Sequence, residues 1–487
     1  MNKTQLLFLI ILIEGYVVLA TELLAIRTLI PFVGSGTETV SIIISAVLLP
    51  LAIGYHVGGN AFKNAFAKAK LKSSKKLSIR KLLLKNVASA LIVLSLGLSY
   101  IFQELFFAVL KEAGIINKLL QTSLYSVLFL SFPVFLLGQT VPLVSNYFSR
   151  AKLSEITGKM LFFSTAGSFL GSVFSTIVLM SFVGVHNTII VTMSLLCLLI
   201  LLLNRKFFCF ETILCLMVMT LIYSMNSNNT MRHINIVSSN PYNTVMIADI
   251  PKDETRLLLI NRSSSSRINT NKDHNSGAFP YINYVEDNFI TPTLKTHEKP
   301  MEFLVIGAGG FTVGLEDKFN HYTFVDIDPA LKDTAEEYFL KEKLSDNKQF
   351  IASSARAFIH NTDKKYDLVF IDVYSNKISI PMECTTREFF LDVKALLKEN
   401  AVVVSNFLGN PGFTDKFSVR YHNTFASVFP VFNRQVIEAE NKDKILKDSL
   451  NKEVRAKNIV YVYHNNKYTD DNTIYTDDKN TYSLDMP

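Results

Sequence analysis

Three stretches in the second half of this 487-residue chain place glycine or aspartate directly behind an apolar run, where a group can reach a bound ligand. The run EFLVI at 302–306 enters GAGGFTVG, in which Gly307 and Gly309 let the backbone approach a ligand that a side chain would block. The run HYTFVDID carries Asp326 roughly twenty residues past the glycines, a spacing suited to accepting hydrogen bonds from ribose hydroxyls. DLVFID ends on Asp372, whose carboxylate at the mouth of a cleft suits a cationic amine. Each acid also has a plainer reading. Asp326 and Asp328 could cap a helix opened by Pro329, and Asp372 could be a strand-end turn residue.

These runs must be strands of one sheet. A helix at about 330–343, a strand at 349–352 and a helix through Ala357 lie between them, and this alternation predicts a parallel, doubly wound sheet that binds ligands beyond the carboxyl ends of its strands. Upstream, VMIADI and RLLLI flank the turn-like PKDE and predict a small β-hairpin domain within 233–269. Downstream, Thr385 or Thr386 is expected to cap the helix TTREFFLDVKALLKE, with Phe389, Phe390, Val393, Leu396 and Leu397 as its core stripe.

The first half obeys a different rule. A chain that is 49% hydrophobic and 19% charged, with mean hydropathy +0.26, joins a membrane unit to a water-soluble one. The change falls near Met225. Seven apolar segments of bilayer length are expected at 6–30, 38–59, 86–110, 122–144, 160–184, 187–203 and 207–225. The resulting division is a helix bundle at 1–225, a small β domain and linker at 226–299, and an α/β domain at 300–487.

Nine Lys or Arg and no acid between Asn60 and Lys85 mark that loop, and hence the amino terminus, as cytoplasmic. Arg150, Lys152, Lys159, Arg205 and Lys206 then also fall inside, and seven full crossings would leave the second half outside. Glu14 and Glu22 lie at apolar depth, either as functional carboxylates or as links between helices. Gly167 and Gly171 in STAGSFLGS favour close helix packing. Cys197, Cys209 and Cys215 sit in apolar segments and Cys384 alone in the polar half, so no disulfide framework or metal cluster is expected. Much of the net charge of +7 lies beside membrane segments, and no basic stripe interleaved with aromatics points to nucleic acid.

The segments GAGGFTVGLE, FVDIDPAL and YDLVFIDVYSNKISIPMECTTREFFLDVKALLKENAVVVSNF resemble spermidine synthases (polyamine aminopropyltransferases) fused to a multi-helix membrane region, and residues 14–59 and FPVFLLGQTVPLV resemble the membrane part of those fusions. The resemblance implies a multi-pass α-helical membrane domain followed by a class I methyltransferase-like Rossmann domain with a small preceding β domain. Its implied co-substrate is decarboxylated S-adenosylmethionine or S-adenosylmethionine, with no metal, and the implied reaction moves an aminopropyl group to a polyamine. Asp372 matches the family's acid at this strand end, and Tyr281 resembles the tyrosine lining the amine pocket.

Three positions depart from the family pattern. Gly310 stands where an acid is usual in the glycine turn, Ser354 where an acid contacts adenine, and Ile282 where Gln or His follows the pocket tyrosine. The site residues expected are thus Asp372 and Tyr281 for catalysis, and Gly307, Gly309, Asp326 and Ser354 for the donor. A methyltransferase-like protein, and a transporter or sensor with a non-catalytic nucleoside-binding module, are the alternatives. Lipid and a small amine are the expected partners, a homo-oligomer is open, and the expected site is a bacterial-type inner (plasma) membrane. Cytosolic donors require the second half to be cytoplasmic, hence an even number of crossings, with 187–203 the shortest.

Overall fold

A computed structural model describes residues 3–34, 36–66, 72–148, 153–204, 209–271, 278–374, 380–437 and 457–465. Arg150, Lys152, Arg205 and Lys206 lie outside the described residues. The chain divides into two compact units, the first of residues 1–246 and 260–262, the second of 247–259 and 263–487.

Helices α1 (Lys3–Val33), α2 (Thr37–Phe66), α3 (Lys72–Gly97), α4 (Tyr100–Glu112), α5 (Lys118–Ser145), α6 (Ser154–Met180), α7 (Gly184–Leu203) and α8 (Phe210–Asn226) build the first unit. Among the described residues, six helices there are long and apolar enough to cross a membrane, and α3 with α4 makes a seventh if the pair is one span bent by 70°. The continuous segment expected at 86–110 is therefore broken, at Leu98 and Ser99, where Gly97 weakens the helix and Ser99 leaves helical geometry with ψ 130°. The segment 187–203, expected to be the weakest crossing, lies within the unbroken helix α7.

Pairwise contacts give the helix directions. A Cβ on Gly167 would lie 2.1 Å from the Leu12 carbonyl oxygen and one on Gly171 2.2 Å from that of Tyr16, so α1 and α6 run parallel at glycine-limited distance. The Tyr16 hydroxyl meets Ser175 Oγ at 2.7 Å further along. Helices α2 and α5 are likewise parallel, with Gly54 against Phe135, Gly58 against Gln139 and Pro142, and Ser131 Oγ donating to the Ala46 carbonyl. Helix α3 opposes α5, since Asn86 bonds Gln139 while Gly97 touches Phe129.

It runs with α8. Arg80 lies within Coulombic reach of Glu211, and Ser99 accepts from Asn226. Beyond the bend, Gln103 donates to Thr28 and Phe107 stacks on Phe32, which carries α4 onward alongside the end of α1. Thus α1, α3–α4, α6 and α8 share one direction. Counted as one span, the bent pair makes seven candidate crossings among the described residues; left out, it makes six. At the far end of α1, buried Arg27 donates to the Asn240 carbonyl and to Thr244 Oγ1, which assigns it to holding the first strands.

Strands β1 (Ile236–Ser239), β2 (Thr244–Ile250), β3 (Thr255–Ile260) and β4 (Ser263–Asn269) form a sheet in that order, with a turn at Pro251–Asp253 as PKDE predicts. The second sheet contains β5 (Glu302–Ile306), β6 (His321–Asp326), β7 (Lys348–Ala352), β8 (Tyr366–Ile371), β9 (Leu397–Gly409), β10 (Asn433–Ile437) and β11 (Lys457–His464), ordered β7-β6-β5-β8-β9-β11-β10. The first five strands are parallel, and β11 is antiparallel to both neighbours. That order with one reversed strand is the class I methyltransferase-like arrangement. The sheet is mixed rather than wholly parallel, because β11 folds its aromatics Tyr461 and Tyr463 onto a core with Phe390, Phe407, Tyr421, Phe425 and Phe429. Thr386 Oγ1 caps the helix Arg387–Ala395 by accepting from the Phe389 amide, whereas Thr385 bonds the Met382 carbonyl. That helix ends at Ala395, short of the expected LLKE tail, and Leu397 begins β9.

Candidate active site

The parallel strands β5, β6 and β8 deliver their carboxyl ends side by side, as β5 pairs with both others. Gly307 follows β5 at φ 91°, and a Cβ there would sit 2.2 Å from the carbonyl oxygen of Asp372. Glycine is required by both conformation and contact, and it brings the β5 turn onto the backbone of the β8 acid. Gly307→Ala is expected to cost about 2 kcal/mol or more from the left-handed backbone and the overlap together. A drop in thermal midpoint of several degrees checks this, and an unchanged midpoint would contradict the packing.

Asp326 closes β6, and its carboxylate accepts from the Ala308 amide at 3.2 Å and the Asp328 amide at 3.1 Å. It therefore ties the glycine turn to the β6 end rather than capping a helix. Burial pushes its carboxyl up to about 6, against the pull of those amides. Asp328 Oδ1 serves the local turn by accepting from Ala330.

Asp372 stands just past β8 with both oxygens engaged. Tyr281 Oη donates to Oδ2 at 2.8 Å and Asn406 Nδ2 to Oδ1 at 2.9 Å. Asn406 is oriented in turn by Asn458, whose amide donates to its Oδ1 at 2.9 Å. Burial raises the Asp372 carboxyl to about 6, although both donors favour its ionised form. The Tyr281 hydroxyl is held well above its ordinary value by burial and by the adjacent carboxylate, so it stays protonated and donating. Tyr374 adds a second aromatic ring, its hydroxyl donating to the Asn406 carbonyl and accepting from the Leu408 amide.

Expected residues thus fall into three groups. Tyr281 and Asp372 are in direct contact, Gly307 abuts the Asp372 backbone, and Asp326 binds the amide of the same glycine turn. Gly309, at φ 51°, faces Ser265 and Ser266 of β4. Ser354 Oγ accepts from the Ala357 amide and caps the helix Ala355–Asn361, a structural use of the hydroxyl. Ile282 is buried at 3% exposure, pointing into the core.

At Gly310 a Cβ would come within 2.4 Å of Phe339 and 2.8 Å of Ser266, while its amide donates to Ser266 Oγ. No acid fits there unless Phe339 moves. Sequence reasoning missed Asn406 and Glu286. The first ends the apolar run VVVS of the strand beside β8, which was a usable signal. Glu286 accepts from the Gly314 amide and is raised by burial to about 7, and no spacing pointed to it.

The fold and these strand ends define a class I methyltransferase-like domain with an acid–tyrosine pair at its cleft. Residues 287–439 match the model of the spermine/spermidine synthase domain. A polyamine aminopropyltransferase of Vibrio vulnificus is 30% identical over 158 residues, 31% of this chain and 50% of that protein. An N-terminal histidine N-methyltransferase of Emericella nidulans is 35% identical over 135 residues, 26% of this chain and 23% of that protein. Among solved structures, a probable spermidine synthase from Corynebacterium glutamicum aligns at 17% identity and TM-score 0.37, covering 46% of this chain and 77% of that one. The chain spans about half the length of the Vibrio protein it matches.

Proposed function

We propose that the second unit transfers an aminopropyl group from decarboxylated S-adenosylmethionine to an amine, with Asp372 holding and deprotonating the acceptor. The contact of Tyr281 and Asn406 with the two Asp372 oxygens carries this reading. Each carboxylate oxygen retains a lone pair toward which an ammonium can donate. An alkylamine with a pKa near 10 is protonated at neutral pH, so it must give up a proton before it can attack. The proton goes to Asp372. The amine nitrogen bonds to the methylene carbon beside the sulfonium, the carbon–sulfur bond breaks, and the thioether leaves with the electron pair. Gly307, Gly309 and Asp326 are proposed to cradle the nucleoside, Asp326 through the ribose hydroxyls.

The purified full-length protein in detergent is expected to convert putrescine with the decarboxylated donor. Absence of turnover in folded protein would overturn the reading. Because Asp372 acts as its anion and its carboxyl is pushed up to about 6, kcat/KM should fall as pH drops through about 6 and level off above it. A profile flat to pH 4.5 would remove Asp372 as the base.

A second reading, methyl transfer from intact S-adenosylmethionine, is favoured by Gly310 alone. The decarboxylated donor's ammonium finds no acid in a turn filled by Phe339 and Ser266. Calorimetry with both donors decides, since tighter binding of the intact one selects methyl transfer.

A further inference from the structure

The membrane unit holds carboxylate and hydroxyl groups that its own packing does not use. Glu14 is 1% exposed, and neither of its carboxylate oxygens has a hydrogen-bond partner among the described residues. Among the described residues, fully buried Thr21 has an Oγ1 without a partner, and Thr28, also fully buried, accepts from Gln103, whose own Oε1 has none. These three residues recur at seven-residue intervals, which puts them on one stripe of α1 with steps of about 10 Å along its axis.

Four other buried hydroxyls give an internal control, and Ser126 and Thr140 share with Thr21 an Oγ without a partner among the described residues. Ser95, Ser99, Thr188 and Thr192 each donate to the carbonyl four residues earlier, the ordinary fate of a hydroxyl in a helix with nothing else to bind. Thr21 does not. Beside Glu14, Tyr55 of α2 interacts with both Glu14 and Ser164 of α6, so three helices meet at the carboxylate.

An ionised carboxylate cannot rest unpaired in such surroundings, and an intramembrane acid of this kind marks an ion or substrate path by default. The donor set selects the cation. A metal ion needs several ligands converging on one point, and among the described residues no three His, Cys, Asp or Glu do so. One carboxylate followed by hydroxyls two turns apart suits instead an ammonium head with an apolar tail, since –NH3+ brings three donors and the methylenes need none.

We propose that Glu14 is the binding carboxylate of a path for alkylammonium ions along the buried stripe of α1, exchanging a proton for the amine. The choice of an alkylammonium rests in part on the reading of the second unit as an amine-handling transferase. The test uses the full chain in proteoliposomes with radiolabelled putrescine. Wild-type vesicles should show saturable uptake, Glu14→Gln should lower it at least tenfold, and Glu14→Asp should restore part. Thr21→Val should lower uptake severalfold, whereas Thr188→Val, whose hydroxyl is already bonded, should not.

Glu14→Gln protein must elute and melt as wild type, and its transferase turnover in detergent should be retained, which separates the path from the catalytic site. Uptake no greater than in empty vesicles, or equal uptake by folded Glu14→Gln, would overturn the proposal, as would proton flux without amine uptake. Uptake in a protein with no turnover supports the path and sinks the transfer reading alone.

Discussion

Asp372→Asn is expected to lower turnover a hundredfold or more, the scale of a positioned general base. The substitution keeps the shape and the Tyr281 and Asn406 neighbours while removing the charge that attracts an ammonium and the site that accepts its proton. Both kcat and kcat/KM should therefore fall, and the rise with pH through about 6 should vanish, because no titrating carboxyl remains at that position. Tyr281→Phe separates base from orienter. Its hydroxyl donates to Oδ2 at 2.8 Å and stabilises the anion, so its loss should raise the Asp372 pKa and move the acid limb to higher pH, with a loss of about fivefold from one hydrogen bond. A shift in the limb with a modest drop supports the assignment, and an unmoved limb would detach Tyr281 from the titrating group. Asp372→Asn protein that keeps wild-type turnover would end the transferase proposal at this residue.

What the sequence disclosed follows from which physical cause acts locally. Gly307, Asp326 and Asp372 were legible because each directly follows an apolar run, and parallel strands present their carboxyl ends together. The 90-odd residues between Tyr281 and Asp372 carry no local signal of their contact, and only resemblance suggested it. Asn406 required knowing that β9 lies beside β8, a fact of strand order rather than of composition. At Gly310 the missing acid was visible, but the Phe339 ring that fills its place comes from a segment 29 residues on. Ser354 was plausible at its position because a hydroxyl can bind a ligand or cap a helix, and only geometry shows the cap. In the first half, hydropathy located the apolar segments yet read across the bend after Gly97, since Leu98 and Ser99 scarcely lower the average over a window of bilayer length.

A reporter fused after Pro487 is expected to read as exterior: alkaline phosphatase active and the matching fluorescent-protein fusion dark. Helix directions carry the expectation. Parallel α1 and α6, parallel α2 and α5, and α3 parallel to α8 are mutually consistent only if α3 and α4 together pass once in the sense of α1. The count is then odd, and α8 ends on the side opposite the start of α1. In sequence order, the nine basic residues between Asn60 and Lys85, then Lys159, then Arg205 with Lys206 each fall between an even-numbered and the next odd-numbered segment, so the bias that keeps Lys and Arg cytoplasmic points one way.

This outcome would set aside the cytoplasmic placement that an adenosyl donor made in the cytosol demands. It would also make donor supply limiting, so that Asp372-dependent product forms in intact spheroplasts when the charged sulfonium donor is added outside, without permeabilisation. A fluorescent carboxyl-terminal fusion with silent phosphatase would instead mean that α4 turns back at the bend. The count would then be even, the parallel pairings of α1 with α6 and of α3 with α8 could not both hold in the membrane, and the cleft would open on the side where its donor is made.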